Sequence, residues 1–584
     1  MKKIGIGYEN YKEFIDQDMY YVDKTLLIRD VIEKGGKVTL FTRPRRFGKT
    51  LALSMLRTFF ECEYDYNGNI VDNRRYFGGK KIMEAGDDIL SRMGKYPVVK
   101  LSLKSAKQPD FYGSFIQLRD SVISEFGRHD YLSNSDKLTD EERKNFNQLL
   151  NGRSEWTEKS LHFDSKEEER EELRKEQSKY AAALQILSGY LKKHHGTNVV
   201  ILLDEYDVPL ENAYHKGFYE EMVGFVRSLF ESALKTNDAL EQAVVTGCLR
   251  ISKESIFTGL NNLKINSIQD DDFAEDFGFT QTETEEMLNV YGLAEKFEEA
   301  KDWYDGYLFG ETEIYNPWSI TSYVDGVVNG GHRFPKPYWS NTSSNSVIRD
   351  FVYNNDESVR EELDALISGG TIEKKIHDDI TYDDIHESED NLWNFLFFTG
   401  YMRKISERQV DDDIYVTMCI PNREIRSIYS NHIRKWFDDI VKKTDITPLH
   451  EAILNRDTDR IANYVSDLLD QCISTFDSAE GFYHGFFLSI LYGIPRYSVK
   501  SNRESGIGRP DIILYPNRPG IPAYIFECKS CKEFSGMKTG LQEAFNQIRD
   551  RKYVDGLHNE GYDEVIAYGI CFCKKSCIAG LYSG

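Results

Sequence analysis

Residues 38–42, 96–103, 198–203 and 243–246 are short runs made largely of apolar and β-branched residues, and helical sequence separates them. A strand covered on one face alternates between polar and apolar positions. A run with little alternation predicts a strand covered on both faces, as in a parallel sheet flanked by helices. The first part of the chain is therefore expected to be α/β. Residues 136–180 are crowded with charge, most densely at 166–176, and read as a solvated helical insertion. From 271 to 450 the pattern becomes helical with small strands. It is broken by aromatic loops at 303–307 and 315–318, and by an acidic surface excursion at 356–391. The end of the chain predicts a helix at 482–494, strands at 496–502, 511–515 and 523–529, a helix at 539–553 and a strand at 565–572.

These patterns divide the 584 residues into three expected domains, 1–270, 271–450 and 451–584. The net charge of -23 disfavours a protein that coats nucleic acid or anionic membrane over its whole surface. The charge is uneven, however: residues 496–584 hold 13 Lys and Arg against 10 Asp and Glu, whereas residues 1–495 carry -26. A nucleic-acid site is thus confined to the C-terminal unit. No apolar run approaches the ~20 residues of a membrane span. After Lys2 and Lys3, Tyr8, Glu9, Asn10, Lys12 and Glu13 stand where a signal-peptide core would lie, so a cytoplasmic protein with no membrane partner is expected. Its nine cysteines are then expected to be reduced thiols.

The strand at 38–42 runs through Arg43-Pro-Arg-Arg-Phe-Gly-Lys-Thr50 straight into helical sequence. Gly48, Lys49 and Thr50 supply the end of a phosphate-binding loop, in which inward N–H groups and a lysine meet phosphates and a hydroxyl meets Mg²⁺. Arg43 stands where the pattern has its first glycine. The strand at 199–203 ends in Asp204 and Glu205. Asp204 is expected to hold Mg²⁺ through water, and Glu205 to orient or activate the attacking water. Thr246, at another strand end, is a candidate γ-phosphate sensor, although a plain strand-end hydroxyl is the commoner role. Arg250 is a candidate for neutralising charge in cis or towards a neighbouring subunit, which leaves a homo-oligomer open.

Tyr20-Tyr-Val-Asp-Lys-Thr25, Thr42-Arg-Pro-Arg-Arg-Phe-Gly-Lys-Thr50, Leu203-Asp-Glu-Tyr-Asp207 and residues 246–257 resemble the AAA-ATPase-like family of bacterial proteins. Trp303-Tyr-Asp-Gly-Tyr307, Tyr315-Asn-Pro-Trp-Ser319 and Ile420-Pro-Asn-Arg-Glu424 extend the likeness over nearly the whole chain. The resemblance implies a P-loop ATPase parallel sheet, a mainly helical middle region and a C-terminal PD-(D/E)xK domain. ATP is then expected on Arg46, Phe47, Gly48, Lys49 and Thr50, with Thr50 and Asp204 serving Mg²⁺. The family's loop also lacks the first glycine.

At the C-terminus, a hairpin turning at Arg518-Pro-Gly520 and symmetric about Pro519 sets Asp511 opposite Glu527, each eight residues away. Glu527 and Lys529 share one strand face and Cys528 takes the other. Carboxylates that hold Mg²⁺ or Mn²⁺, beside a lysine that positions water and offsets charge, suit phosphodiester cleavage. The element order and Gly508-Arg-Pro-Asp511 with Glu527-Cys-Lys529 resemble the restriction-endonuclease-like αβββαβ core. On that resemblance Asp511 and Glu527 are metal ligands, Lys529 is the catalytic lysine, Glu480 completes the metal site, and Gln547 is the second-helix glutamine, with Tyr553 downstream.

Arg496, Lys500, Arg503 and Arg509 are candidate phosphate contacts or plain edge charges, and His484 reads as structural. Cys528, Cys531, Cys571, Cys573 and Cys577 raise a weaker idea, a zinc or iron–sulfur cluster. The leading expectation is an ATP-binding, hydrolysing module that controls a Mg²⁺-dependent nuclease acting on nucleic acid, DNA in preference to RNA. The alternative is a nucleotide-dependent regulatory or interaction protein whose nuclease-like domain is inactive.

Overall fold

A computed structural model of the protein describes residues 2–65, 68–153, 165–249, 256–257, 260–332, 334–341, 357–376, 382, 385, 388–432, 444–472, 480–501 and 510–583. They form two compact units, Met1–Asn341 with Glu373–Ile425, and Thr342–Ile372 with Arg426–Gly584.

The first unit is built on strands β1 (Val38–Thr42), β2 (Val98–Ser102), β3 (Val199–Asp204), β4 (Leu240–Gly247) and β5 (Leu263–Asn266). They pair in the order β2-β3-β4-β1-β5, all parallel. Every residue of β1 and β3 is buried, which accounts for their lack of alternation. β5 escapes the sequence reading because it is an edge strand: three of its four residues are only partly buried, so no apolar run marks it. The charged stretch forms the helix Lys166–Ala181, whose first turn is capped by Ser165 accepting from the Glu168 N–H at 3.2 Å.

Residues 271–341 belong to this same unit. They supply the small hairpin β6 (Tyr307–Phe309) and β7 (Thr312–Ile314), and the helix Pro317–Val328. That helix has a clear start: Asn316 accepts from the Trp318 and Ser319 N–H groups, and Pro317 fills the first position. Strands β8 (Ile372–Lys375), β9 (Arg403–Val410) and β10 (Asp413–Cys419) form a separate sheet in the order β8-β10-β9. Tyr304, Tyr315 and Tyr323 are fully buried, so the aromatic loops are core rather than surface.

The second unit holds β11 (Tyr497–Ser501), β12 (Ile512–Pro516), β13 (Ala523–Ser530), β14 (Val565–Cys573) and β15 (Ser576–Leu581), paired in chain order. Only β13 and β14 run parallel. The helix Glu480–Leu491 precedes the sheet and Met537–Asp550 joins β13 to β14, which gives the expected αβββαβ order. β15 is additional; its Ser, Cys, Ala and Gly give it no apolar run to read. The helix expected at 539–553 is two helices, Met537–Asp550 and Tyr553–Asn559, broken at Lys552 in a left-handed conformation (φ 54°). Gly569 and Gly580 face each other across β14 and β15. A Cβ at either would come within 3.0 Å of Phe545, so this glycine pair lets Met537–Asp550 pack closely on the sheet.

Candidate nucleotide and nuclease sites

The order β3-β4-β1 brings three carboxyl strand ends together: Phe41 is level with Thr246, Thr42 with Gly247, and Leu203 with Val245. Such an edge is where ligands bind in open α/β sheets. After β1 the loop passes through Arg46 (φ 71°) and Gly48 (φ 84°), both left-handed. Left-handed residues in such a turn let backbone N–H groups face one hollow at the start of the helix Lys49–Phe60, the conformation an anion nest uses.

The Lys49 ammonium is buried in this loop and donates to the carbonyls of Arg43 at 2.8 Å and Pro44 at 2.9 Å. Thr50, half-buried, follows it. Asp204 ends β3 almost fully buried and accepts from Thr246 Oγ1 at 2.6 Å. Glu205 sits just past the strand end at φ 52°. Burial and the neighbouring Asp204 raise the pKa of its carboxyl, and Lys49 partly offsets this. Arg46 stacks its guanidinium on Trp318, 4.2 Å from the ring centre. The Phe47 ring is buried against Tyr307 and Phe309, so Phe47 offers a ligand its backbone alone. Arg250 lies outside the described residues.

Arg43 has a structural role. It is fully buried, over the rings of Phe277 (5.4 Å) and Phe309 (5.1 Å), and donates to the carbonyls of Thr42 and Asn266 at 3.0 Å and to the Asn266 side chain. Burial pulls its pKa down to about 10. The residue at the missing glycine's position thus ties the loop to edge strand β5. Arg43→Gly, which would restore the usual pattern, is expected to cost about 3 kcal/mol of stability by leaving buried acceptors unpaired and a cavity behind. Denaturant unfolding measures this.

In the second unit, β12 and β13 pair Ile512 with Phe526, Ile513 with Ile525 and Leu514 with Tyr524, a register centred on Pro519. Asp511, one residue before β12, thereby comes level with Glu527, and its Oδ2 accepts from the Cys528 N–H at 2.8 Å. Cys528 packs into the core on the side of Glu480–Leu491. Lys529 Nζ lies 3.3 Å from Glu527 Oε1. Glu527 is fully buried, and its Oε2 has no hydrogen-bond partner among the described residues. Burial first, and the charge of Asp511 second, push the Glu527 carboxyl up to about 8 despite Lys529. Gln547 Nε2 donates to Tyr553 Oη at 3.4 Å. Burial raises the pKa of that phenol, the hydrogen bond from Gln547 partly offsets this, and the charges of Glu527 and Asp511 add to the rise.

Glu480 is the first residue of its helix, four residues before His484. His484 hydrogen-bonds the Asp511 carbonyl at 3.1 Å, a structural contact. Arg496 and Lys500 are exposed, while Arg503 and Arg509 lie outside the described residues. Among the described residues no three or more His, Cys, Asp or Glu side chains are grouped to hold a metal ion. The five C-terminal cysteines therefore form no evident cluster site.

Residues 5–257 match the family model described as a predicted AAA-ATPase, and residues 478–580 match the PD-(D/E)XK nuclease superfamily. The chain joins an AAA-ATPase-like domain to a PD-(D/E)xK nuclease-superfamily domain. An uncharacterized protein encoded in the vnfD 5′ region of Azotobacter chroococcum mcd 1 is 28% identical, over 98% of this chain and 97% of that protein. A Walker-type ATPase of Pyrococcus abyssi aligns over 74% of this chain and 98% of that chain, with 14% identity and a TM-score of 0.33, a likeness too slight to argue from. No helix among the described residues is long and apolar enough to cross a membrane.

The sequence reading of the AAA-ATPase-like domain missed two supports. Asp207, almost fully buried, accepts from the Cys248 N–H at 2.7 Å and the Leu249 N–H at 3.3 Å, and so holds the chain as it leaves β4. Arg45 pairs with Glu211 at 2.5 Å. The only available signal was the third acid of Leu203-Asp-Glu-Tyr-Asp207. The motifs at 303–307, 315–319 and 420–424 are likewise a framework. Asn422 donates to the Asp305 carbonyl at 2.6 Å. The buried Glu424 accepts from Ser319 Oγ at 2.7 Å and the Trp339 N–H at 2.9 Å, and burial pushes its carboxyl up to about 7.

Proposed function

We propose that the AAA-ATPase-like domain binds and hydrolyses ATP, and that its nucleotide state controls phosphodiester cleavage by the nuclease-superfamily domain. The observation that carries this reading is the convergence of Asp511, Glu527 and Lys529 at the end of one hairpin, two carboxylates and an ammonium held by backbone register.

The oxygen donors fit a divalent ion. Glu527 Oε2 is buried and unpartnered among the described residues, and burial, with the neighbouring Asp511 carboxylate, raises its pKa; a dication offsets both. Asp511 and Glu527, joined by Glu480, would hold Mg²⁺ or Mn²⁺. When bound, the ion supplies Lewis-acid stabilisation of the scissile phosphate and acidifies water. Lys529 positions that water and offsets charge as it develops, while Gln547 and Tyr553 orient the phosphate side of the centre.

In the ATPase domain the nest at 46–48 receives phosphate and Lys49 swings from its loop carbonyls to the β and γ phosphates. Thr50 and Asp204 would hold Mg²⁺, Glu205 directs water, and Thr246 reports the γ phosphate to Asp204. Arg250 serves as the charge-neutralising arginine. Nucleotide binding shifts the nuclease between states by differential affinity. Nucleic acid, DNA in preference to RNA, is the substrate at the C-terminal domain, and the protein works in the cytoplasm.

The test is incubation with linear, circular and single-stranded DNA and with RNA in Mg²⁺ or Mn²⁺, with and without ATP. Cleavage that disappears in Asp511→Ala supports the reading. Absence of cleavage under every condition points instead to a nucleotide-dependent binding protein.

Metal binding should also be pH-dependent. With the metal-free Glu527 carboxyl near 8, the group is mostly protonated at pH 7, and a cation must displace that proton. Affinity is expected to climb as pH rises towards 8 and then level off. About one proton should be released per ion, measured by calorimetry in buffers of different ionisation enthalpy.

A further inference from the structure

Three thiols outside the carboxylate centre converge at the far end of the catalytic strand. Lys529 is level with Cys571 in the parallel pairing of β13 and β14, and Ser530 with Phe572. Cys531 continues the ladder by donating its N–H to the Phe572 carbonyl at 2.9 Å, which sets it level with Cys573. Paired strands lie ~4.8 Å apart, inside the ~4.4–6.8 Å between Cα atoms that a disulfide spans.

The side chains meet as well. Cys531 packs against the buried cluster that holds Cys571 and Cys573. All three are free. They share a pocket with Met537, Leu541 and Ile578, and the Cys571 sulfur lies close against Gly540, where a Cβ would stand 2.5 Å from it. Exposure separates the roles: Cys531 is half-buried, while Cys571 and Cys573 are fully buried. Burial, together with contact to Cys531, pushes both β14 thiols up, so neither is a ready nucleophile in the resting protein.

We propose that Cys531 and Cys573 are a reversible thiol–disulfide site that responds to a peroxide, with Cys531 as the attacking thiol and Cys573 as the resolving one. The Cys531 thiolate takes one oxygen from hydrogen peroxide to give a sulfenic acid, and the other oxygen leaves as hydroxide. The Cys573 sulfur then displaces hydroxide from that sulfenic sulfur, closing the S–S bond. Overall two thiols and one peroxide become one disulfide and two waters, and a dithiol reverses the change. Cys571, packed in the same cluster, is the third thiol through which the bond can exchange. The bond would fasten the chain leaving β13 to β14 two residues beyond Lys529 and fix the strand end that carries the lysine. The chemistry itself does not rest on the nuclease reading.

The experiment treats full-length protein with a small excess of hydrogen peroxide, stops it with catalase, blocks remaining thiols with iodoacetamide and digests with trypsin. The expected product is peptide 530–532 joined to peptide 553–574, two hydrogens lighter than their sum, with fragmentation placing the bond at Cys573. Dithiothreitol should abolish it. Cys531→Ser, a mild change at a half-buried site checked by its melting temperature, should never form it. Recovery of Cys531 as the alkylated or sulfinic form with Cys573 unlinked would overturn the proposal, as would a bond that survives in Cys531→Ser.

Discussion

Lys529→Ala is expected to lower metal-dependent cleavage by about 10³-fold while the protein keeps its fold. The magnitude is that of removing one preorganised positive group from a charge-developing centre, about 10²–10³-fold, with lost water positioning in addition. The fold should tolerate the change because the Lys529 side chain reaches out of the strand to Glu527 Oε1 instead of filling the core. The metal-free protein offers an independent readout. Without Lys529, nothing at 3.3 Å offsets burial and Asp511, so Glu527 holds its proton more firmly and metal affinity at pH 7 falls too. Single-turnover cleavage at saturating metal separates the catalytic loss from weaker metal binding. Undiminished cleavage would remove Lys529 from the mechanism.

Lys49→Ala should weaken ATP binding by about 100-fold or more, since a buried ammonium at a phosphate nest contributes a charge-assisted contact that water replaces poorly. Its present bonds to the Arg43 and Pro44 carbonyls are internal to the loop, so the lysine is already desolvated and poised. Those same bonds mean the variant loses some loop stability, which a melting curve without nucleotide records. Binding of a fluorescent ATP analogue then isolates the ligand effect. Arg46 provides a contrast: it is exposed and stacked on Trp318, so its replacement should disturb the loop far less than loss of Lys49.

The parts of the molecule legible in the sequence are those in which one physical rule dominates. Unalternated strands marked the parallel sheet because both of its faces are covered. The hairpin register followed from symmetry about Pro519, and the structure pairs Ile512 with Phe526 as that symmetry requires. Strands β5 and β15 were not legible, since an edge strand of mixed character and a strand of small residues leave no hydrophobic signature. Arg43 was readable only as a departure from a pattern. That its guanidinium would find Asn266, 223 residues away, depends on tertiary packing that no local rule encodes. The aromatic motifs at 303–307 and 315–319 looked like loops because their turn residues are local, whereas the burial of Tyr304 and Tyr315 is not.

The turn between β12 and β13 contains none of the chemistry, yet it sets the spacing on which the chemistry depends. Asp511 meets the Cys528 N–H only because equal lengths of chain run to either side of Pro519. Adding or removing one residue there would shift the pairing by one pleat and turn the Asp511 carboxylate to the opposite face of the sheet. The length of this exposed turn is therefore as much a part of the carboxylate centre as the acids themselves.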